Sequence, residues 1–501
     1  MTINGEIFMK KIIHILDNIV INFWIVFCVA IFGISIIVKA MYHIWDRPYF
    51  TQNTGLDIVL FVMVSIVYIL IFMKKDKIES NIKYWMLWII FGTIGLLYIF
   101  LVPLKPFSDM QRVADGALFF AKFDIAGIKQ STYLQMITKN MKVSMFYGFL
   151  SIPLPKSAFS FKMINIILYL LIAQFMSLIA KNLGFKYNKM IFIIVATYMP
   201  LILYCNHIYF DLPTLFFCTI AVYFYTKEKN TINMLLTALF LGFGSSLRVL
   251  AYLFVVAVCI DYIFKNGTEL FKNKCKKLIV LIAFLFISFG IPKLCNCVVN
   301  ENFRIENAED ESIWTLFWMG INEEKFGFMN GKVASGKKSF NDFYELLISR
   351  NVKQNVRLFG RKILWTWSQG TYQAQRYGFG EDRTVLEKYG YETPLTGVLM
   401  SDFSFLRKFI NAFCRAQYMS LFFFMILGLL SIRKDKETID KYRMMVYLMF
   451  GTFLVLTFYE MKSRYVMHCL IPMMLIAIEG MNNLIGFFMK YKQYGSAKQD
   501  T

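Results

Sequence analysis

Residues 231–264 read TINMLLTALFLGFGSSLRVLAYLFVVAVCIDYIF, with Ser245-Ser246-Leu247-Arg248 as the polar break between two apolar runs. Wound as one helix, the stretch would be about 50 Å long at 1.5 Å per residue, against a bilayer core about 30 Å thick. Two spans, 231–247 and 249–264, meeting at a tight turn fit the bilayer better. The choice matters because merging them would invert the sidedness of everything downstream.

Working outward at about 17–25 apolar residues per span, the chain offers further runs at 19–41, 58–73, 84–103, 161–180, 190–206, 212–226, 277–294, 416–432, 443–459 and 465–488. The expected fold is an all-α integral membrane protein with about twelve transmembrane helices, bounded by eleven and thirteen. Charge bias agrees with the split. With the N-terminus inside, inner segments hold Lys10 and Lys11, Lys74, Lys75, Lys77 and Lys83, Lys181, Lys186 and Lys189, then Lys227 and Lys229. Arg433, Lys434, Lys436, Lys441 and Arg443 follow, whereas the short outer loops hold Arg47, Arg248, Lys462 and Arg464. Positive residues stay inside, so both termini are expected in the cytoplasm.

Composition excludes the other classes. Of 501 residues 57% are hydrophobic and 17% charged, with 52 Phe, and mean hydropathy is +0.51. Such a chain is too apolar for a disordered or disulfide-stapled protein. The net charge of +21 raises nucleic acid as a partner, but the cations sit between apolar runs, where topology puts them; the partner they imply is the lipid bilayer, not nucleic acid. The first apolar run lacks a small-residue cleavage site and reads as a retained span. Cys295-x-Cys297 is too close for an unstrained bridge, and no zinc spacing is present.

Three regions follow: 1–294, an N-terminal membrane module with an outer loop at 104–160; 295–415, a large extracytoplasmic loop; and 416–501, the last spans with a short cytoplasmic tail. Both large loops mix apolar and polar residues at helical spacing, as where Phe343, Leu346, Leu347, Val352, Val356 and Phe359 recur, which predicts amphipathic helices. Asp17 and Asp261, near inner span ends, read as boundary residues. No span shows a clear mid-membrane charge pair, which argues against an ion-coupled pump.

Chemistry concentrates just outside the spans. After the third, Pro103-Leu-Lys-Pro-Phe-Ser-Asp109-Met-Gln-Arg112 puts an acid at headgroup depth, where a lipid-linked substrate presents its phosphate. A carboxylate there can take a proton from an attacking hydroxyl, and Arg112 is near to meet a leaving phosphate. Asp109 would also cap the helix that follows it. Asp211 opens the sixth span after His207 and Tyr209, with Pro213 behind it, and reads either as a cap or, with His207, as part of a substrate or divalent-ion site. Glu460, Lys462, Arg464 and Tyr465 precede the last span as interfacial anchors or as a phosphate clamp. Trp314, Trp318, Trp365, Trp367, Tyr372, Tyr377, Tyr389 and Tyr391 crowd the second large loop, as an interfacial belt or a sugar-stacking surface. No nucleotide, dinucleotide or hydrolase motif occurs.

With those residues the chain resembles the GT-C superfamily of polytopic glycosyltransferases. It is most similar to bacterial family 39-like enzymes, relatives of protein O-mannosyltransferases and of the lipid A aminoarabinose transferase. The resemblance rests on Ser108-Asp109 followed by Gln111, Ala114 and Gly116, on Tyr209-x-Asp211, and on Leu247-Arg248. Trp318-Met319-Gly320 with Gly327, and Glu460-x-x-x-Arg464-Tyr465, complete it. It implies inverting transfer of a sugar from a polyprenyl-phosphate carrier to an extracytoplasmic glycan acceptor at the plasma membrane. Asp109 would be the catalytic base. Asp211, Arg112, His207, Arg248, Glu460, Arg464 and Tyr465 would bind substrate, with Arg248 and Arg464 facing the lipid phosphate. A divalent cation, Mg or Mn, is left open; its ligands would be Asp109, Asp211 and His207. The chain departs from O-mannosyltransferases in having Met110 after Asp109 where they carry Glu, and in ending shortly after the last span. Two alternatives stand beside this one. An O-antigen-type polymerase or ligase would lean on Arg350, Arg357, Arg361, Arg376 and Arg383, and a lipid-linked glycan flippase would move substrate without changing a bond.

Overall fold

The computed structural model describes residues 3–43, 47–136, 138–227, 230–270, 275–305, 312–323, 326–328, 338–374, 376, 393–401 and 404–497. Arg383, Tyr377, Tyr389 and Tyr391 lie outside the described residues.

The chain is a multi-pass, all-α membrane protein. Among the described residues eight helices are long and apolar enough to cross a bilayer: Ile7–Ile37, Gly55–Met73, Tyr84–Leu101, Ala158–Asn182, Val249–Gly267, Lys276–Phe303, Phe405–Ile432 and Ser463–Met489. A bent pair, Asn188–Ala196 and Met199–Asn206, would make a ninth. The run at 190–206 is therefore not straight. It turns by 60° where Tyr198 is extended and Pro200, which lacks an N–H, opens the second half. Three other expected spans fall on helices that do not combine that length and hydropathy. Asp211–Thr226 and Thr231–Leu247 are short, and Lys436–Phe458 opens on Lys-Glu-Thr-Ile-Asp-Lys. The break at Arg248 is real: the backbone there is extended, and a 3₁₀ turn over Val249–Ala251 starts the next helix.

In chain order the elements the site needs are α1 (Ile3–Ile37), a hairpin of β1 (Val38–His43) and β2 (Arg47–Gln52), α2 (Gly55–Met73), α3 (Lys75–Asn81) and α4 (Tyr84–Leu101). Next come α5 (Ser108–Ala121), α6 (Ile125–Gln130), α7 (Thr132–Met136) and α8 (Thr138–Leu150). The bundle continues with α9 (Ala158–Asn182), α10 (Asn188–Ala196), α11 (Met199–Leu203), α12 (Asp211–Thr226), α13 (Thr231–Leu247), α14 (Tyr252–Leu270) and α15 (Cys275–Phe303). The segment after α15 supplies α16 (Ile313–Gly320), α17 (Phe340–Ile348), α18 (Val352–Ser368) and α19 (Pro394–Met400), and the chain closes with α20 (Phe405–Ile432), α21 (Lys436–Phe458) and α22 (Leu470–Ala497). Helices α4, α9, α12, α13 and α15 pack side by side in that order. Helix α20 packs on α1, α2 and α22, and α14 on α21. Gly428 and Gly480 let α20 and α22 approach until a Cβ on either would strike the other's backbone, the small-residue contact by which helices pack closely in lipid.

The structure revises three readings. Asp17 and Asp261 are not loose boundary residues. Arg443 on α21 donates to Asp17 at 2.9–3.1 Å and approaches Asp261 at 3.4 Å, and all three are buried. A charge left alone at that depth is costly, so the three are held as a set. Of the loop aromatics, Trp365, Trp367 and Tyr372 are core residues, Trp367 packing on Trp24 and Phe27 of α1. The amphipathic helices at 340–368 are present as α17 and α18, but their inner face is Phe343, Leu358, Lys362 and Trp365, while Val352 and Val356 are exposed. The Asn351–Gln354 capping box ends the first period and starts the second helix with its own phase.

Candidate functional site

A small apolar core separate from the main one draws together the segments that carry Asp109, His207, Asp211 and Arg248. Val113, Ala114 and Ala117 of α5 pack there with Val143 and Tyr147 of α8, Phe161 of α9, the 208–210 loop and Leu247. Helix α5 shows why: its apolar residues recur on the face turned to α8, where Ser144 Oγ donates to the Val113 carbonyl at 3.0 Å. Asn165 on α9 donates to the carbonyls of Cys205 and His207 at 3.2 and 3.0 Å, and Tyr147 donates to that of Tyr209 at 3.1 Å. Asn206 in turn reaches the Val102 carbonyl at 3.1 Å, and Lys162 that of Leu104 at 2.5 Å. These bonds tie the segment before Asp109 to the segment before Asp211.

Neither acid caps its helix with its side chain. The N-caps are Phe107 and Phe210, and neither α5 nor α12 has a side-chain cap bond. Asp109 and Arg112 are exposed at the foot of α5, after Ser108 at φ +51°, a conformation that L-residues adopt at some cost. Arg112 lies over the Tyr133 ring at 4.9 Å. Burial, and behind it the Asp109 carboxylate, raises the Tyr133 phenol well above its ordinary value. Tyr133 packs on the same small core as Tyr209, over whose ring the Arg464 guanidinium sits at 5.4 Å.

Asp211 is buried and paired with Arg248. His207 Nδ1 is 3.6 Å from Asp211 Oδ2, too far for a hydrogen bond. Burial pushes the His207 imidazole down to about 3, helped by Arg464, Arg248 and Arg376 and resisted by Asp211. The ring is therefore neutral at physiological pH. Arg248, 9% exposed, lies between the rings of Phe210 at 5.0 Å and Tyr465 at 4.7 Å. Its Nη2 has no protein hydrogen-bond partner among the described residues. Tyr465 donates to Glu460 at 2.5 Å, and Lys462 pairs with Glu460 at 2.8 Å. Burial pushes the Glu460 carboxyl up, but Lys462, Tyr465 and Arg464 outweigh it and hold the group below its ordinary value.

A cavity of about 190 Å³ opens beside Arg248 and Tyr465. Lys139, Lys142 and Thr138 of α8 line it with Phe210 and Asn296. Lys142 donates to Asn296 at 2.8 Å. Lys139 and Lys142 carry no motif; their i, i+3 spacing on one helix face is the one sign the sequence offers. Arg376, between α18 and α19, acts on His207, which no spacing reveals. The motif Trp318-Met319-Gly320 with Gly327 supports the site from outside. Gly327, at φ +83°, accepts from Met461 N–H at 2.7 Å, and buried Lys362 donates to the Gly320 carbonyl at 2.8 Å. Together they fix the strand of chain that carries Glu460 and Arg464.

Among the described residues no three His, Cys, Asp or Glu side chains converge as a metal site. Asp109, Asp211 and His207 thus do not form a joint ligand set, because Asp211 is taken by Arg248 and Asp109 stands outside on α5. The arrangement is one solvent-open carboxylate beside a desolvated cluster of arginines, suited to proton transfer next to an anion. Comparison with known protein families, curated proteins and solved structures finds no match to this chain. Fold and site together define a multi-pass helical membrane protein with a cation-rich pocket at the ends of its helices.

Proposed function

We propose that the protein is an inverting glycosyltransferase of GT-C type that moves a sugar from a polyprenyl-phosphate carrier to an extracytoplasmic glycan or glycopolymer. Its chain would cross the membrane about twelve times with both termini cytoplasmic. The observation that carries the reading is the exposed Asp109 carboxylate joined through Tyr133 and Tyr209 to Arg464 and Arg248. In one displacement, Asp109 takes the proton of an acceptor hydroxyl and that oxygen bonds to the anomeric carbon. The bond from that carbon to the phosphate oxygen breaks, and its electron pair leaves with polyprenyl phosphate. Arg248, with one arm of its fork unused, Arg464, Lys139 and Lys142 supply the charge that meets it.

The test compares envelope glycans from cells with the native protein, without it, and with Asp109→Asn at equal expression, by mass spectrometry. One sugar substituent should vanish in both altered strains. Loss only in the deletion strain removes Asp109 as the base, and a product that keeps the donor's anomeric configuration rules out a single displacement. A polymerase or ligase is the second reading, favoured by Arg376 beside His207. It predicts altered glycan chain length, and tolerance of Asp109→Asn.

A further inference from the structure

Helices α17 and α18 leave an apolar stripe uncovered. Phe340, Tyr344 and Ile348 on α17 are each half exposed or more, and so are Val352 and Val356 on α18. Four-residue spacing puts each set on one face of its helix. The two flanks of that stripe differ. On α17 one flank is Phe343, Leu346 and Leu347, buried or half-buried against the protein, and the other is Asn341, Glu345 and Ser349, all exposed. On α18 one flank is Leu358, Lys362 and Trp365, all buried, and the other is Lys353, Arg357 and Arg361, all exposed.

Three kinds of face point to a place with three neighbours. A helix packed on protein in water needs one apolar side and one polar side. A helix inside the bilayer needs a protein side and a lipid side. A protein side, an uncovered apolar side and a polar side together belong at the boundary between lipid and water. Neither helix can cross the membrane instead. Their 9 and 17 residues make about 13 and 25 Å of helix, against a core about 30 Å thick, and a crossing would leave the cations of α18 bare in hydrocarbon.

The stripe also runs into the surface of the bundle. Phe359 continues the face of Val352 and Val356, and its ring lies 5.2 Å from that of Phe458 at the end of α21. Leu454, one turn earlier on α21, is exposed. Helix α21 packs on α1 and α14, both of spanning length. The apolar surface is therefore continuous from the flank of the bundle to α17 and α18, and lipid is the one occupant that covers both.

We infer that α17 and α18 lie in the plane of the membrane interface, with Phe340, Tyr344, Ile348, Val352 and Val356 seated in lipid and Glu345, Lys353 and Arg357 turned to water. The leaflet is the one at the end of the bundle that carries Glu460 and Arg464. Lys362 of α18 holds the Gly320 carbonyl at 2.8 Å, and Phe458 stands two residues before Glu460, so the pair sets the depth of that strand of chain. The placement goes beyond the transferase reading and holds whatever reaction the site performs.

The test uses the full-length protein, freed of native cysteines and reconstituted in vesicles of phosphatidylglycerol and phosphatidylcholine. Nitroxides are placed singly through Ile348→Cys, Val356→Cys, Glu345→Cys and Arg357→Cys, with Val26→Cys, exposed on α1, as the lipid reference. Spin-label collisions are read with oxygen, which concentrates in lipid, and with a water-soluble nickel chelate. Labels at 348 and 356 should favour oxygen, as at 26, and report a depth of about 5–10 Å, whereas labels at 345 and 357 should favour nickel. Nickel access at 348 and 356 equal to that at 345 and 357 places the stripe in water and overturns the inference. Exclusion of both reagents at 348 and 356 means that protein, from this chain or a second copy, covers the stripe, and overturns it too.

Discussion

Tyr465 illustrates how one side chain at the candidate site does two jobs that substitution can separate. Its hydroxyl donates to Glu460 while its ring covers Arg248. Tyr465→Phe removes a hydrogen bond to a charged group and should cost about 1.5–3 kcal/mol in thermal unfolding while preserving most transfer activity. Tyr465→Leu also removes the ring and its cation–π contact, worth about 0.5–2 kcal/mol, and should lower donor affinity further. His207 makes a pH prediction. Its folded value, about 3, lies below its ordinary 6.5. The stability this contributes is whole above pH 6.5 and is lost as pH falls from there toward 3, because the unfolded chain takes up a proton that the folded one refuses. The activity profile between pH 6 and 8 should therefore show no limb that His207→Asn abolishes. Asp109 is legible in the sequence as an acid just beyond a span, but whether it caps its helix was not. Capping depends on backbone angles at Phe107 and Ser108 that only the folded turn sets.

Between helices, the closest approach is at Gly428 and Gly480, where α20 and α22 touch backbone to backbone. Gly480→Leu should force the pair apart and lower the unfolding temperature in detergent by several degrees, as overpacking by about 1–3 kcal/mol implies. Gly486→Leu on the same helix meets open space and should shift it little. Periodicity identifies α17 and α18 as amphipathic yet misassigns which residues face inward. Both helices have more apolar positions than one face holds, and lipid can cover the surplus at Val352 and Val356. Lys362, unpromising as a core residue, is buried because the Gly320 carbonyl receives it.

Across the whole molecule, sidedness is the property on which the proposed function depends. Single cysteines at Lys139 and Lys276 in a background free of native cysteines test it. A membrane-impermeant maleimide should label Lys139→Cys in intact cells and Lys276→Cys only after permeabilisation. Labelling of both from outside would contradict the topology. The buried Arg443 set joins α1, α14 and α21 across most of the chain's length. Arg443→Ala strands Asp17, while Asp261 keeps Lys265 and Tyr225, and should cost roughly 3–5 kcal/mol, visible as loss of the folded species on size exclusion.

By itself the sequence determined the class of the protein. A bilayer imposes one-dimensional rules of span length, apolar content and flanking charge that can be counted along the chain, and the polar stretch Ser245–Arg248 is where the helix ends. It also marked the candidates for chemistry, the acids and arginines at span ends, beside their other uses as caps and interfacial anchors. Which of them meet was decided by tertiary structure. Asp211 with Arg248, Arg464 over Tyr209, and Arg376 near His207 are brought together by Asn165, Tyr147 and the small core around Val113. Such contacts between residues far apart in the chain depend on how helices rotate and tilt against one another, a matter of side-chain fit that no local spacing records.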